Sequence, residues 1–397
     1  MKISDFSLEL DNYRVITNKQ FPELTDLKPN IVNEGFLNFL DSATQFLLIV
    51  NDATRPTPTW KVLDIILPYL RQKKIKFLIA TGAHHKQTKQ ELKFIFRHHY
   101  KTIKAQIYSH DAVKSPCHYY GCTGYGTKVY LNSMLKDISH IITIGSVEPH
   151  YFAGFSGGRK NILPGIAHFD TIEQNHRLSL NKNARILKLA KNPVNEDFKE
   201  ALSLIDNEIY SIQLVCDNEA NIFDIHSGTI SNTFQKAVTT AKKIFTCSIK
   251  ERYDIVISVV ESPFDKNFYQ ALKGFENWKN AVKIGGIIII VAKCEQGLGK
   301  NKFYHILKEY YQTNQKVDKQ QIYDNYELGH HKAWRVIEFQ KNRNIYFVSD
   351  LANQTLNLFN IRGFNSLQTA YDKAKQRCNK PQTLIVKNSA VLAPVLS

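Results

Sequence analysis

The sequence has few means of covalent cross-linking. Six cysteines, Cys117, Cys122, Cys216, Cys247, Cys294 and Cys378, are spread over 397 residues with no CxxC pair. They are expected to be free thiols, which excludes a disulfide scaffold and a zinc-finger framework. Cys117 and Cys122 stand five apart near His110 and His118, a spacing that fits no tetrahedral zinc signature. Long apolar runs are missing too. The longest, residues 287–292, has six members, against ~20 for a spanning helix, so no membrane association is expected. The first residues, Met1-Lys2-Ile3-Ser4-Asp5, carry no apolar leader, and the expected location is cytoplasmic. Acid is scarce: 36 Asp and Glu face 52 Lys and Arg, a net charge of +16. Such a chain attracts anions. Its bases are scattered, however, and RNP, zinc-finger and basic-zipper patterns are absent, so no specific nucleic-acid binding is expected. Internal repeats, low-complexity segments and a Gly/Pro/Ser-rich linker are also lacking.

What is present is an ordinary globular composition, 43% hydrophobic and 22% charged, which excludes a disordered or collagen-like chain. The length suggests two domains. Short β-branched runs alternate with longer amphipathic stretches, the pattern of an α/β protein with mostly parallel sheets. Strands are predicted at 46–50, 76–80, 141–144, 255–259, 287–291, 345–348 and 384–386. Helices are predicted at 61–72, 89–98, 193–205, 232–245, 267–282 and 301–312, with Pro68 expected to kink the first. The fold class is therefore α/β, two α/β domains with an active-site cleft expected between them. The domains are placed at 1–248 and 249–397.

Three predicted strands run into polar clusters. The first meets Asn51-Asp52-Ala53-Thr54-Arg55-Pro56, the second Thr81-Gly82-Ala83-His84-His85, the third Gly145-Ser146-Val147-Glu148-Pro149-His150. Ligands of open α/β sheets gather at the carboxyl ends of strands, so these ends form a candidate site. The densest stretch, residues 150–165, holds Gly154, Gly157 and Gly158 and then Arg159 and Lys160. Its glycines suit either a plain tight turn or backbone N–H groups approaching an anion. It matches neither a Walker loop nor a dinucleotide fingerprint. His176 follows Lys160 by sixteen residues. Imidazole suits proton transfer near neutral pH and binding of nickel, zinc, copper or iron. Taken singly, Asp52 also suits a helix cap, and Gln270 with Lys273 a solvated helix face.

Residues 150–165 resemble the signature of the lactate racemase family that uses a nickel-pincer nucleotide. Asp52-Ala53-Thr54-Arg55-Pro56 is similar to its DxTRP element, Thr81-Gly82-Ala83-His84 to its TGxH element, and Tyr269-Gln270 with Lys273 to its YQxxK helix. Residues 328–334, ending at Trp334, also resemble a family segment. His85 departs from the arginine expected after the catalytic histidine. The resemblance implies that His84 and His150 are catalytic acid/bases and that His176 ligates nickel. It implies that Lys160 carries the cofactor, Ni(II)-pyridinium-3,5-bisthiocarboxylic acid mononucleotide, through a covalent thioamide. Asp52, Ala53, Thr54 and Arg55 would contact the nucleotide, with Arg55 also facing substrate, and Gln270 and Lys273 would bind substrate. The N-terminal domain would then hold the cofactor and the C-terminal domain close over substrate. The implied enzyme is an isomerase racemising a small 2-hydroxy acid, lactate or a larger malate-like, phenyllactate-like or sugar acid. Proteins that make and insert the cofactor are implied partners. The chemistry is coherent: removing the Cα hydrogen as hydride leaves a stable planar keto acid, and no side chain accepts hydride, so a cofactor must.

Overall fold

The computed structural model describes residues 13–299, 301–312 and 318–397; the leader reading at residues 1–5 lies outside them. The chain divides into two compact units, residues 21–243 and residues 244–397 joined by residues 13–20. Each is built on a six-stranded sheet.

In the first unit the strand order is Ile222–Thr229, Glu208–Cys216, His140–Ser146, Gln45–Asn51, Lys74–Ala80, Ile107–Ser109. All neighbours are parallel except the first pair. Phe46, Leu47, Leu48, Ile49 and Val50 are all fully buried, because crossover helices cover both faces of a parallel sheet. On one face Phe46, Leu48, Val50, Phe77, Ile142 and Ile144 pack with Leu63, Ile66 and Phe96 of the helices. Each such side chain contributes about 1.5–3 kcal/mol on burial. Helix Thr59–Ile66 gives way to a tighter turn, Leu67–Leu70, where Pro68 removes an N–H. Helix Lys89–Phe96 starts at a capping box of Thr88 and Glu91.

The second unit orders its strands Tyr13–Ile16, Thr383–Val386, Tyr253–Val259, Val282–Val291, Asn344–Val348, Arg362–Phe364, all parallel. Helix Phe268–Trp278 follows the strand Tyr253–Val259. All seven strands expected from the sequence form, in an α/β fold of mostly parallel sheets. Among the described residues no helix is long and apolar enough to cross a membrane.

Candidate active site

The three strands ending in polar clusters are neighbours. Val50 lies opposite Ile144 on one side and Ile79 on the other, so the three carboxyl ends are level. The loops beyond them are stitched together. Asn51 Nδ2 donates to Asn161 Oδ1 at 2.9 Å, Ser146 N–H to Asn51 Oδ1 at 3.2 Å, and Gly82 N–H to the Gly165 carbonyl at 2.9 Å.

At the first end Asp52, only 3% exposed, faces His84, with Oδ2 at 2.7 Å from Nδ1. Its other oxygen accepts from the Thr54 hydroxyl at 2.7 Å and the Thr54 N–H at 3.2 Å. Burial alone would raise the Asp52 pKa. The hydrogen bond and charge of His84, with Thr54 and the Arg55 guanidinium, outweigh it and hold the carboxyl below 3.8. An ionised carboxylate only accepts, so His84 carries its proton on Nδ1 and turns Nε2 outward. Asp52 therefore orients the His84 ring; helix Thr59–Ile66 has no side-chain cap. His85 is bound elsewhere, by Glu91 at 3.0 Å. Ala53 N–H donates to Gln87 Oε1 at 3.1 Å.

At the third end Glu148 pairs with Arg55. His150 follows on a two-residue strand, Pro149–His150, paired with Gly154–Phe155. Its Nδ1 accepts the Ala153 N–H at 3.3 Å, and its Nε2 lies 3.2 Å from Lys160 Nζ. The Phe152 ring organises the group. His150 meets it edge-on at 4.6 Å, His176 edge-on at 5.0 Å, and Lys160 Nζ lies 5.5 Å from its centroid. The glycines are explained by packing rather than by an anion. A Cβ on Gly154 would fall 2.3 Å from the Lys188 carbonyl oxygen, and one on Gly158 would fall 2.8 Å from Phe234. The Gly158 N–H already donates to Gln213 Oε1 at 2.7 Å. Arg159 likewise turns inward, 4.7 Å over Phe234 and donating to Asn195 at 3.1 Å. Burial pushes it down to about 10.

His176 lies near the end of helix Phe169–Arg177, with Nδ1 3.2 Å from Asn175 Oδ1. Thus Asp52, Ala53, Thr54, Arg55, His84, His150, Lys160 and His176 all belong to one unit, on level strand ends and the helix beside them. Gln270 and Lys273 form their own group in the second unit, one turn apart on helix Phe268–Trp278. Asn267 caps that helix, accepting the Gln270 N–H at 3.0 Å. Lys273 Nζ lies 3.6 Å over Phe264. Trp334 is buried, with Lys341 Nζ 4.8 Å over its ring.

The description "Lactate racemase N-terminal domain" matches residues 24–187, and "Lactate racemase C-terminal domain" matches residues 248–392. The lactate racemase of Thermoanaerobacterium thermosaccharolyticum is 33% identical over 301 residues, 74% of this chain and 67% of that protein. The chain belongs to the lactate racemase family. The family's Lactiplantibacillus plantarum lactate racemase is 30% identical over 270 residues, 66% of this chain and 63% of that protein. The structure of the T. thermosaccharolyticum lactate racemase apoprotein superposes with a TM-score of 0.84 at 27% identity, covering 93% of this chain and 91% of that one. A Thermotoga maritima protein shares the fold, with a TM-score of 0.69 at 16% identity over 94% of this chain and all of that one. Membership in the lactate racemase family makes the chain an isomerase.

Several residues at the site escaped sequence reasoning: Phe152, Glu148 as the partner of Arg55, and Gln87. Only Glu148 carried a signal, its place in a polar strand-end cluster. Among the described residues, the His, Cys, Asp and Glu side chains whose ligand atoms converge, within 4.8 Å, are Asp64, His98 and His99 on the surface. His110 instead lies 2.9 Å from the Ala167 carbonyl, and all six cysteines are free.

Proposed function

We propose that this chain interconverts L- and D-lactate, with the nickel-pincer nucleotide joined to Lys160 and its nickel held by His176. The donor set suits that group: a primary amine and a ligand imidazole face one aromatic ring, Phe152, at 5.5 and 5.0 Å. When bound, the group supplies the hydride acceptor that no side chain provides. His84 takes the hydroxyl proton of one enantiomer through Nε2, because Asp52 occupies Nδ1. His150 serves the other enantiomer through Nε2, the ring nitrogen 3.2 Å from Lys160 Nζ. As the keto acid is reduced again on its other face, the opposite histidine gives a proton to the oxygen. Arg55 grips the substrate carboxylate with donors that Glu148 does not use, a guanidinium having five. Asp52, Ala53 and Thr54 line the nucleotide. Lys273 adds charge and Gln270 a hydrogen bond to substrate. Proteins that build and insert the cofactor are the expected partners.

The observation that carries this reading is the pair of fixed histidines, one held by Asp52 at 2.7 Å and one facing Lys160 at 3.2 Å. The test is chiral chromatography of lactate and larger 2-hydroxy acids incubated with cofactor-loaded protein. Lactate is expected to racemise, and His84→Ala and His150→Ala are each expected to cost at least ~100-fold. Loaded protein that racemises a larger acid and leaves lactate untouched would overturn the substrate assignment. Near-parental rates in either variant would remove that histidine from the mechanism.

A further inference from the structure

We propose that Asn175 and Asp197 are positioning residues for His176: they fix its ring proton on Nδ1 and so present Nε2 as the metal-binding atom. The proposal rests on the reading of His176 as the nickel ligand, and it begins from a buried carboxylate. Asp197, on helix Pro193–Ser203, is 0% exposed. Such a group is tolerated only with its oxygens well satisfied. Three donors meet it: the Thr123 hydroxyl at 2.5 Å, the Thr127 hydroxyl at 2.9 Å and Asn175 Nδ2 at 2.7 Å. Thr123 Oγ1 accepts the Thr127 N–H at 3.2 Å, so its own proton is directed to the carboxylate.

A carboxylate accepts and does not donate. It therefore settles the orientation of the Asn175 amide, which must turn its NH2 toward Asp197. The amide oxygen is then the atom 3.2 Å from His176 Nδ1. Because a carbonyl oxygen also only accepts, Nδ1 carries the hydrogen and Nε2 keeps its lone pair. Free histidine in water prefers the opposite tautomer, so the protein has to impose this one. Asn175 is itself fully buried, which keeps water from competing for the amide. The relay crosses two helices and ends on the ring edge-on to Phe152 at 5.0 Å. Partners of this kind commonly set the tautomer and aim of a ligating imidazole.

The test uses the full-length apoprotein labelled with nitrogen-15 histidine. Long-range proton–nitrogen correlation above neutral pH reads the tautomer, and the His176 signals are those lost in His176→Ala. The expected result is the Nδ1–H form in the parent protein. An Nε2–H ring there would overturn the proposal while leaving the ligand reading intact, and this measurement requires no variant to fold. In Asn175→Ala the His176 ring is expected to revert toward Nε2–H with the other histidine signals unmoved. An unchanged tautomer in that variant would also overturn the proposal. In cofactor-loaded protein, Asn175→Ala is expected to lower nickel affinity roughly 10- to 100-fold. Nickel retained by His176→Ala would instead refute the ligand reading, and with it the metal-presenting role given to this relay.

Discussion

Asp52 and His84 are thirty-two positions apart in sequence and 2.7 Å apart in the fold. Nothing in the sequence pairs them, because contact depends on two parallel strands running in register. The helix-cap reading of Asp52 was equally open until the strand ends were aligned. The same holds for His84 against His85, which only their partners, Asp52 and Glu91, distinguish. The Asp52 carboxyl is held below its usual 3.8 despite burial. A depressed carboxyl contributes stability that is complete above its unfolded value and is lost as pH falls through the folded one. The urea midpoint of the parent is therefore expected to exceed that of Asp52→Asn near neutral pH, with the gap closing on acidification below 3.8. A gap that widens with acid would contradict the lowered Asp52 carboxyl.

Among the elements, strands buried on both faces were legible because they are near-continuous β-branched runs. Strand Glu208–Cys216 was not, although it runs parallel beside His140–Ser146. Its apolar run is broken by Ser211 and Gln213, both fully buried. Gln213 Nε2 donates to Ser211 at 2.7 Å while its Oε1 receives the Gly158 N–H, also at 2.7 Å. Polar residues recruited into the core to hold the site loop thus hid the strand that carries them. Helix Phe169–Arg177 was hidden for a related reason: its sequence, FDTIEQNHR, is mostly polar, yet Asn175 is fully buried. The glycines of the same loop showed that a tight turn exists but not why. At Gly154, with φ +84°, an alanine Cβ would meet the Lys188 carbonyl oxygen at 2.3 Å. Gly126, with φ +80°, has nothing within 4 Å. Gly154→Ala is expected to cost about 3 kcal/mol and Gly126→Ala about 1 kcal/mol, from overpacking added to strain. Urea denaturation of both variants checks the difference; equal losses would show that backbone strain alone requires the glycine.

At the scale of the whole molecule, the sequence conveyed the class of the fold and the order of its motifs, since both rest on local pattern and spacing. It did not convey that residues 13–20 group with residues 244–397, because strand Tyr13–Ile16 finds its partner in Thr383–Val386 across nearly the whole chain. The excess of 52 basic over 36 acidic residues suits an anionic substrate through long-range attraction rather than through any single patch. The proposed chemistry turns on Lys160, whose Nζ lies 3.2 Å from His150 Nε2 and 5.5 Å from the Phe152 centroid. The most direct measurement is intact-protein and peptide mass spectrometry with metal analysis on protein co-produced with the cofactor-making proteins. The expected result is a covalent addition on Lys160 together with about one nickel per chain. Unmodified Lys160 without nickel, in a preparation where a control member of the family acquires both, would contradict the account.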